Sequence, residues 1–333
     1  MKIYFAPLEG ITGYIFRQAY EKNFGGIDAY YTPFVTTRDG GIMKKKELRD
    51  ILPEHNPGIR IVPQIMTNRA EDFCQAAGQM AEMGYDEVNL NLGCPSGTVV
   101  PKGKGAGFLR EPEKLDRFLE EIFEKSATAI SIKSRIGFYE VEEFPKLLEI
   151  YNQYPVKELI LHLRTREEFY KGAVHPEIFR YAMEHSKNPL CYNGDIFSID
   201  DLERVKDEFS TLEAVMIGRG FLKNPGFICS GKRIGDFEGV WKKASGLPEV
   251  SDDFKNQKEK SWKKNVYLFL RDLEQGYVEV MSGDIPVLFK MKEIWTHLQE
   301  SFPDGKRWFK KIKKTKRLVE YDMIIAGIFK EFL

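Results

Sequence analysis

Eight short, apolar, β-prone runs separated by stretches of helical periodicity constrain this chain more than any other feature. The runs cover 3–6, 29–34, 59–66, 87–92, 129–133, 159–163, 190–193 and 214–217. Between them, 70–83 sets Phe73, Ala76, Ala77, Met80 and Ala81 on one helical face. The stretch 111–123 opens with acids and Pro112, then repeats Leu115, Phe118, Leu119 and Ile122. The stretches 141–151, 176–183 and 199–205 behave alike. Strand and helix alternating eight times predict an α/β fold, a (β/α)₈ TIM barrel. A doubly wound open sheet is the structural alternative, because strand order is not written in a sequence.

Beyond Phe221 the pattern changes. Gly226, Gly231, Gly235 and Gly239 punctuate a transition, and only helix-like segments follow: 253–275, 285–301, 306–319 and 321–332. The expected organisation is a catalytic barrel over 1–235 and a small all-helical C-terminal domain over 236–333. No apolar run approaches the roughly 18 residues that span a bilayer. The first seven residues are too short and too soon interrupted for a signal peptide. A cytoplasmic protein without a membrane partner is expected. Cys74, Cys94, Cys191 and Cys229 lie far apart, and the five histidines are scattered. Neither a metal centre nor a disulfide framework is expected. Formal net charge is zero, yet 236–333 carries 19 Lys and Arg against 16 Asp and Glu. From Lys306 to Arg317 there are eight basic residues and no acid. Trp308, Phe309, Ile312 and Leu318 interleave with them at helical spacing, which predicts a packed helix with a basic outer face. A nucleic acid or another polyanion suits that face.

Chemistry gathers where the strands end, which in such a barrel is where active sites form. The clusters are Pro7-Leu8-Glu9-Gly10, Gln64, Asn91 with Cys94, Lys133 with Arg135, His162 with Arg164, Asn193-Gly194-Asp195 and Gly218-Arg219-Gly220. Loops after the seventh and eighth strands of this fold commonly bind phosphate through backbone N–H groups. Cys94 opens a loop with four further glycines, Gly97, Gly103, Gly105 and Gly107. That loop lacks P-loop and dinucleotide spacing, and Phe108 stands where a P-loop needs Lys. It reads as a flexible loop carrying a thiol.

Taken in order, these residues resemble the tRNA-dihydrouridine synthases. The resemblance runs through Ala6-Pro7-Leu8-Glu9-Gly10-Ile11-Thr12 and Asn89-Leu90-Asn91-Leu92-Gly93-Cys94-Pro95 with Gly105-Ala106-Gly107. It continues through Lys133-Ser134-Arg135, His162-Leu163-Arg164-Thr165-Arg166, Asn193-Gly194-Asp195 and Gly218-Arg219-Gly220. It covers barrel and helical tail alike, departing at Gly13, Leu163 and Ile136. It implies an FMN-dependent enzyme that reduces uridine in tRNA to 5,6-dihydrouridine, with NADPH as reductant.

Saturating the uracil 5,6 bond needs a hydride on one carbon and a proton on the other, so a positioned acid is required. The resemblance implies that Cys94 protonates carbon 5, which calls for a thiol that stays protonated near neutral pH. It further implies that Pro7, Leu8, Glu9 and Gln64 hold the isoalloxazine ring. Lys133 would lie at its pyrimidine edge, and His162 on the ribityl-phosphate side. Asn193, Gly194, Asp195, Gly218 and Arg219 would cradle the phosphate. Asn91 and Arg135 are expected near the extruded uracil, and Arg164 and Arg166 at RNA or in a structural role. Lys310, Lys311, Lys313, Lys314, Lys316 and Arg317 are expected to follow tRNA phosphates along one helix. A monomer is expected, since a bulky RNA must reach the barrel mouth. Three rival readings remain: a flavin-dependent barrel dehydrogenase of a free small molecule such as dihydroorotate, a non-catalytic RNA-binding barrel, and a Schiff-base aldolase using Lys133.

Overall fold

The structure is a computed structural model that describes residues 1–37, 43–228 and 252–330. Cys229 and the expected domain boundary near residue 235 lie outside the described residues. The chain forms two compact units.

The first unit comprises 1–9, 28–195 and 203–217. Its ten strands are β1 (Lys2–Phe5), β2 (Ala29–Tyr31), β3 (Val35–Thr36), β4 (Ile61–Val62), β5 (Gln64–Met66), β6 (Glu87–Leu92), β7 (Ala129–Arg135), β8 (Leu159–His162), β9 (Leu190–Asn193) and β10 (Ala214–Ile217). Every pairing between these strands is parallel, in the order β3-β5-β6-β7-β8-β9-β10-β1-β2-β4. β2 and β3 are two halves of one chain pass, as are β4 and β5. Pro33 and Pro63 fall in the gaps, where a residue without an N–H cannot continue a ladder. Pro63 still accepts the Asn89 N–H at 2.8 Å. Rejoining the halves gives eight passes, with β10 paired to β1. The sheet is therefore closed, and the open-sheet alternative, which needs two free edges, is excluded.

Inside the barrel, Tyr4, Ala6, Ala29, Tyr31, Val62, Ile160, Cys191, Ala214 and Met216 form a buried cluster. Near the N-terminal ends of the strands this filling turns polar. The Tyr4 and Tyr31 hydroxyls donate to Glu158 at 3.3 and 3.4 Å. Arg60 and Lys157 both pair with Glu87 at 3.0 Å. Burial, then the Glu87 charge, push the Glu158 carboxyl up to about 7.

The outer helices follow the periodicity. Ala70–Glu82 buries Phe73, Ala76, Ala77 and Met80, but Ala81 is exposed, one position beyond the apolar stripe. Pro112–Lys125 starts with its proline in the first turn and buries Leu115, Phe118, Leu119 and Ile122.

The second unit comprises 10–27, 196–202 and the chain from 218 onward. The helix Tyr14–Asn23, which directly follows the first barrel strand, thus groups with the C-terminal helices. Phe16, Tyr20 and Phe24 pack around Phe269 with ring centroids 5.4–6.1 Å apart. Each such pair contributes about 0.5–1.5 kcal/mol beyond area burial. Gly276 lets Asp252–Val280 approach closely, since a Cβ there would lie 2.7 Å from Ile15 Cγ2. Trp295, on Asp284–Leu298, is fully buried and donates from Nε1 to the Tyr321 hydroxyl at 3.1 Å.

The expected continuous helix over 306–319 is instead two. Gly305–Ile312 ends, and Leu318–Ile328 begins anew. Thr315 causes the break: it is buried, and its hydroxyl folds back to the Ile312 carbonyl at 2.8 Å. Arg317 then takes an extended conformation at the next helix start, where Glu320 accepts from its backbone N–H and its Nε. Lys310, Lys311, Lys313, Lys314, Lys316 and Arg317 are all exposed. They spread over a helix end, a turn and a second helix start rather than along one helix.

Candidate active site

The C-terminal strand ends of the barrel carry a buried amide ladder. Gln64 Nε2 donates to Asn89 Oδ1 at 2.7 Å, and Asn89 Nδ2 to Ser131 Oγ at 2.9 Å. Asn91 Nδ2 donates to Gln64 Oε1 at 2.7 Å. Asn89 and Asn91 are two residues apart on one strand and so share a face. That alternation was the sequence signal for Asn89, which the sequence reading did not single out. Asn91 Oδ1 accepts the N–H groups of Gly93 at 3.1 Å and Cys94 at 3.0 Å. Asn91, expected beside the substrate, thus turns the chain that presents Cys94.

The Cys94 loop is not loose. The Cys94 carbonyl accepts the Ala106 N–H at 3.0 Å. Gly105 has φ +54, and a Cβ there would sit 2.9 Å from Cys94 O and 3.0 Å from Cys94 Cβ. A Cβ on Gly107 would fall 2.4 Å from the Val100 carbonyl oxygen. Segments 100–102 and 105–110 are 3₁₀ turns, and 105–109 is buried. Of the four glycines expected to make a flexible loop, Gly105 and Gly107 let two turns pack backbone on backbone, whereas Gly97 has nothing within 4 Å of an added Cβ. Cys94 itself is half-buried. Burial pushes its thiol above the usual range; a Ser96 backbone bond is the largest opposing pull, the Glu9 charge adds to the rise, and Arg135 and Lys133 oppose it more weakly. The thiol is protonated at neutral pH.

Lys133 and Arg135 alternate along β7 and so point the same way. Lys133 Nζ donates to Asn193 Oδ1 at 2.8 Å. Burial, then the Arg135 charge, lower its pKa to about 7, with no carboxylate among the groups acting on it. Asn193 passes the bond on, donating from Nδ2 to the Met216 carbonyl at 2.8 Å. Arg135 is 1% exposed. Its Nε donates to Gly93 O at 2.9 Å, and its Nη1 to Thr165 O at 2.8 Å and Phe169 O at 2.7 Å. Its guanidinium lies 5.1 Å from the centre of the Tyr170 ring. His162 is buried and meets the same ring edge-on at 5.8 Å.

Asp195 and Gly194 have protein partners in the fold. Asp195, at φ +40, is held bidentately by Arg164, whose Nη1 reaches Oδ1 at 3.0 Å. Arg164 also donates to the Lys171 and Gly172 carbonyls at 3.1 and 2.6 Å. A Cβ on Gly194 would lie 2.8 Å from Val174 Cγ1, so a larger residue there would have to displace that side chain. Arg166 pairs with Glu167 at 2.7 Å and lies over the Phe138 and Phe169 rings. Pro7 and Leu8 are half-buried and Glu9 exposed, directly beyond β1. In the second unit, Gly218 precedes the short helix Arg219–Lys223, and Arg219 lies 5.5 Å from the centre of the Phe197 ring. Tyr170 escaped the sequence reading; nothing in Glu-Glu-Phe-Tyr-Lys marks it.

Among the described residues no group of three or more His, Cys, Asp or Glu could hold a metal ion. No described helix is long and apolar enough to cross a membrane.

The sequence profile of the dihydrouridine synthase (Dus) family matches residues 4–316. A probable tRNA-dihydrouridine synthase of Staphylococcus aureus (strain Mu50) is 28% identical over 230 residues, 66% of this chain and 68% of its own. A tRNA-dihydrouridine(16) synthase of Pseudomonas putida is 30% identical over 233 residues, 68% of this chain and 71% of its own. Among solved structures, a morphinone reductase aligns over 76% of this chain and 88% of its own, at 14% identity and a TM-score of 0.47. The chain belongs to the dihydrouridine synthase (Dus) family.

Proposed function

We propose that this chain reduces uridines in tRNA to 5,6-dihydrouridine, with FMN as the bound flavin, NADPH as the reductant and Cys94 as the proton donor. The observation that carries this reading is a half-buried thiol on a braced loop whose ionisation burial opposes, with Arg135 and Lys133 among the groups that act on it. A flavin fits that donor set. Lys133 has one named hydrogen-bond partner for three N–H groups. An anionic ring edge or phosphate near it would repay the cost of its burial. Pro7, Leu8, Glu9 and Gln64 would hold the ring, Lys133 its pyrimidine edge and His162 the ribityl-phosphate side. Asn193, Gly194, Gly218 and Arg219 would face the phosphate, with Asp195 acting through Arg164.

When bound, FMN supplies the hydride for carbon 6 of the uracil. The protein supplies the rest. Asn91 turns the Gly93 and Cys94 amides so that the thiol is presented beyond β6. Burial keeps that thiol protonated until carbon 5 takes the proton. The thiolate left behind is eased by Arg135 and Lys133, which both favour it electrostatically. Extruding a base from folded RNA costs a few kcal/mol. The exposed cations Lys310, Lys311, Lys313, Lys314, Lys316 and Arg317 offset that cost through phosphate contacts in this reading.

The test begins with purified protein. A yellow protein that NADPH bleaches, and that unmodified tRNA but neither free uridine nor fumarate reoxidises, supports the proposal. Reoxidation by a free pyrimidine or fumarate would favour a small-molecule dehydrogenase. A colourless protein that no flavin restores would sink the proposal.

A further inference from the structure

Arg135 lies in the family signature yet spends its guanidinium on the protein. Three of its hydrogen bonds reach backbone carbonyls on two loops: Gly93, next to Cys94, and Thr165 and Phe169 beyond β8. At 1% exposure it has lost its hydration, so those carbonyls are its solvent. On the far side of the same loop Arg164, also 1% exposed, holds the Lys171 and Gly172 carbonyls and Asp195. The segment 165–172 is therefore fixed at both ends by buried arginines. Only the one at its start reaches the Cys94 loop. Phe169 keeps a φ of +51, a conformation an L residue holds only where its surroundings enforce it.

We infer that Arg135 is a positioning residue: it ties the Cys94 loop to the 165–170 loop, so the placement of the thiol depends on the order of a loop from the next strand but one. A lysine cannot substitute, because one ammonium on a flexible stem lacks the planar fork that spans Gly93 on one side and Thr165 and Phe169 on the other. The structural bridge stands by itself; its bearing on catalysis rests on the proposed role of Cys94.

Amide hydrogen exchange on the full chain, without RNA, tests the bridge in Arg135→Lys and Arg135→Ala, with Arg180→Met as a surface control. Both Arg135 variants are expected to exchange at least about tenfold faster at Cys94, Ala106 and across 165–170, with β1 and β10 unchanged. The steady-state defect should fall on kcat with KM for tRNA nearly constant, and methylguanidine should partly restore Arg135→Ala. Arg135→Lys keeps the charge, so its failure to protect the loops separates bridging from simple electrostatics. Unchanged exchange in both loops, with the defect confined to KM, would make Arg135 a substrate contact and overturn the inference. Loosening of one loop alone would overturn the coupling. A wild-type protein that makes no dihydrouridine would sink the proposed function while leaving the exchange result standing.

Discussion

Gly105→Ala should damage the Cys94 loop in a way that Gly97→Ala does not. Gly105 has φ +54, and a left-handed conformation costs a residue with a Cβ about 1–2 kcal/mol. The added methyl also lands 2.9 Å from Cys94 O, 3.0 Å from Cys94 Cβ and 3.2 Å from Val99 Cγ1. Two of those atoms belong to the residue the site depends on, and one is backbone, so relief requires Cys94 to move. Overpacking of that kind costs about 1–3 kcal/mol. The total is about 2–5 kcal/mol, against a whole-domain stability of about 5–15 kcal/mol. At Gly97 nothing lies within 4 Å and φ is not left-handed, so the change there should stay within about 0.5 kcal/mol. Urea denaturation at 25 °C gives the stability difference. The alkylation rate of Cys94 by iodoacetamide, followed by peptide mass spectrometry, reports whether the thiol has shifted. Loss of barrel stability with faster alkylation in Gly105→Ala alone is expected. If Gly105→Ala matched wild type in both readouts, the glycines would be serving mobility rather than close packing, and the braced-loop account would be wrong.

Three further outcomes follow from other parts of the molecule. The folded barrel holds the Glu158 proton up to about pH 7, whereas the unfolded chain releases it in the ordinary carboxylate range. The stabilisation tied to that proton is complete below the unfolded value and lost as pH rises through about 7. Glu158→Gln mimics the protonated form and keeps an acceptor for Tyr4 and Tyr31, so its melting temperature should gain on wild type between pH 5 and 8; a constant gap would contradict the shift. Changing Lys310, Lys313 and Lys314 together to Gln should weaken tRNA binding and flatten the slope of log K against log salt by about 2–3, leaving FMN affinity unchanged; an unaltered slope would remove this surface from the interface. Lys133→Met should raise the FMN dissociation constant at least about tenfold, measured by flavin fluorescence, as expected for loss of a cation buried beside an anionic group; unchanged affinity would refute the placement of Lys133.

The barrel was legible because its signal is local. The run 87–92 became β6 residue for residue, and Pro112 with the Leu115, Phe118, Leu119, Ile122 stripe became a helix with that stripe buried. Closure was not legible, since the β10 to β1 pairing joins residues more than two hundred positions apart. The helical tail was overread at Thr315, whose buried hydroxyl ends a helix that the spacing of Trp308, Phe309, Ile312 and Leu318 would have continued. At the site, residue types were readable and partners were not. Arg135, Arg164 and Asp195 look like groups awaiting a ligand until the fold supplies carbonyls and a counter-ion some thirty residues away. The glycines of the Cys94 loop pose the same difficulty: a sequence shows freedom, and only the packed turns show close approach.

The central claim is that Cys94 supplies the proton, and a single turnover tests it most directly. Holoenzyme carrying FMN is reduced with NADPH, freed of excess nucleotide and mixed anaerobically with unmodified tRNA, and dihydrouridine is counted by its two-dalton mass gain. The account predicts that Cys94→Ala binds tRNA as wild type does but forms dihydrouridine about 10²–10⁴-fold more slowly, the range set by loss of a general acid. Dihydrouridine formed by Cys94→Ala at close to the wild-type rate would contradict it.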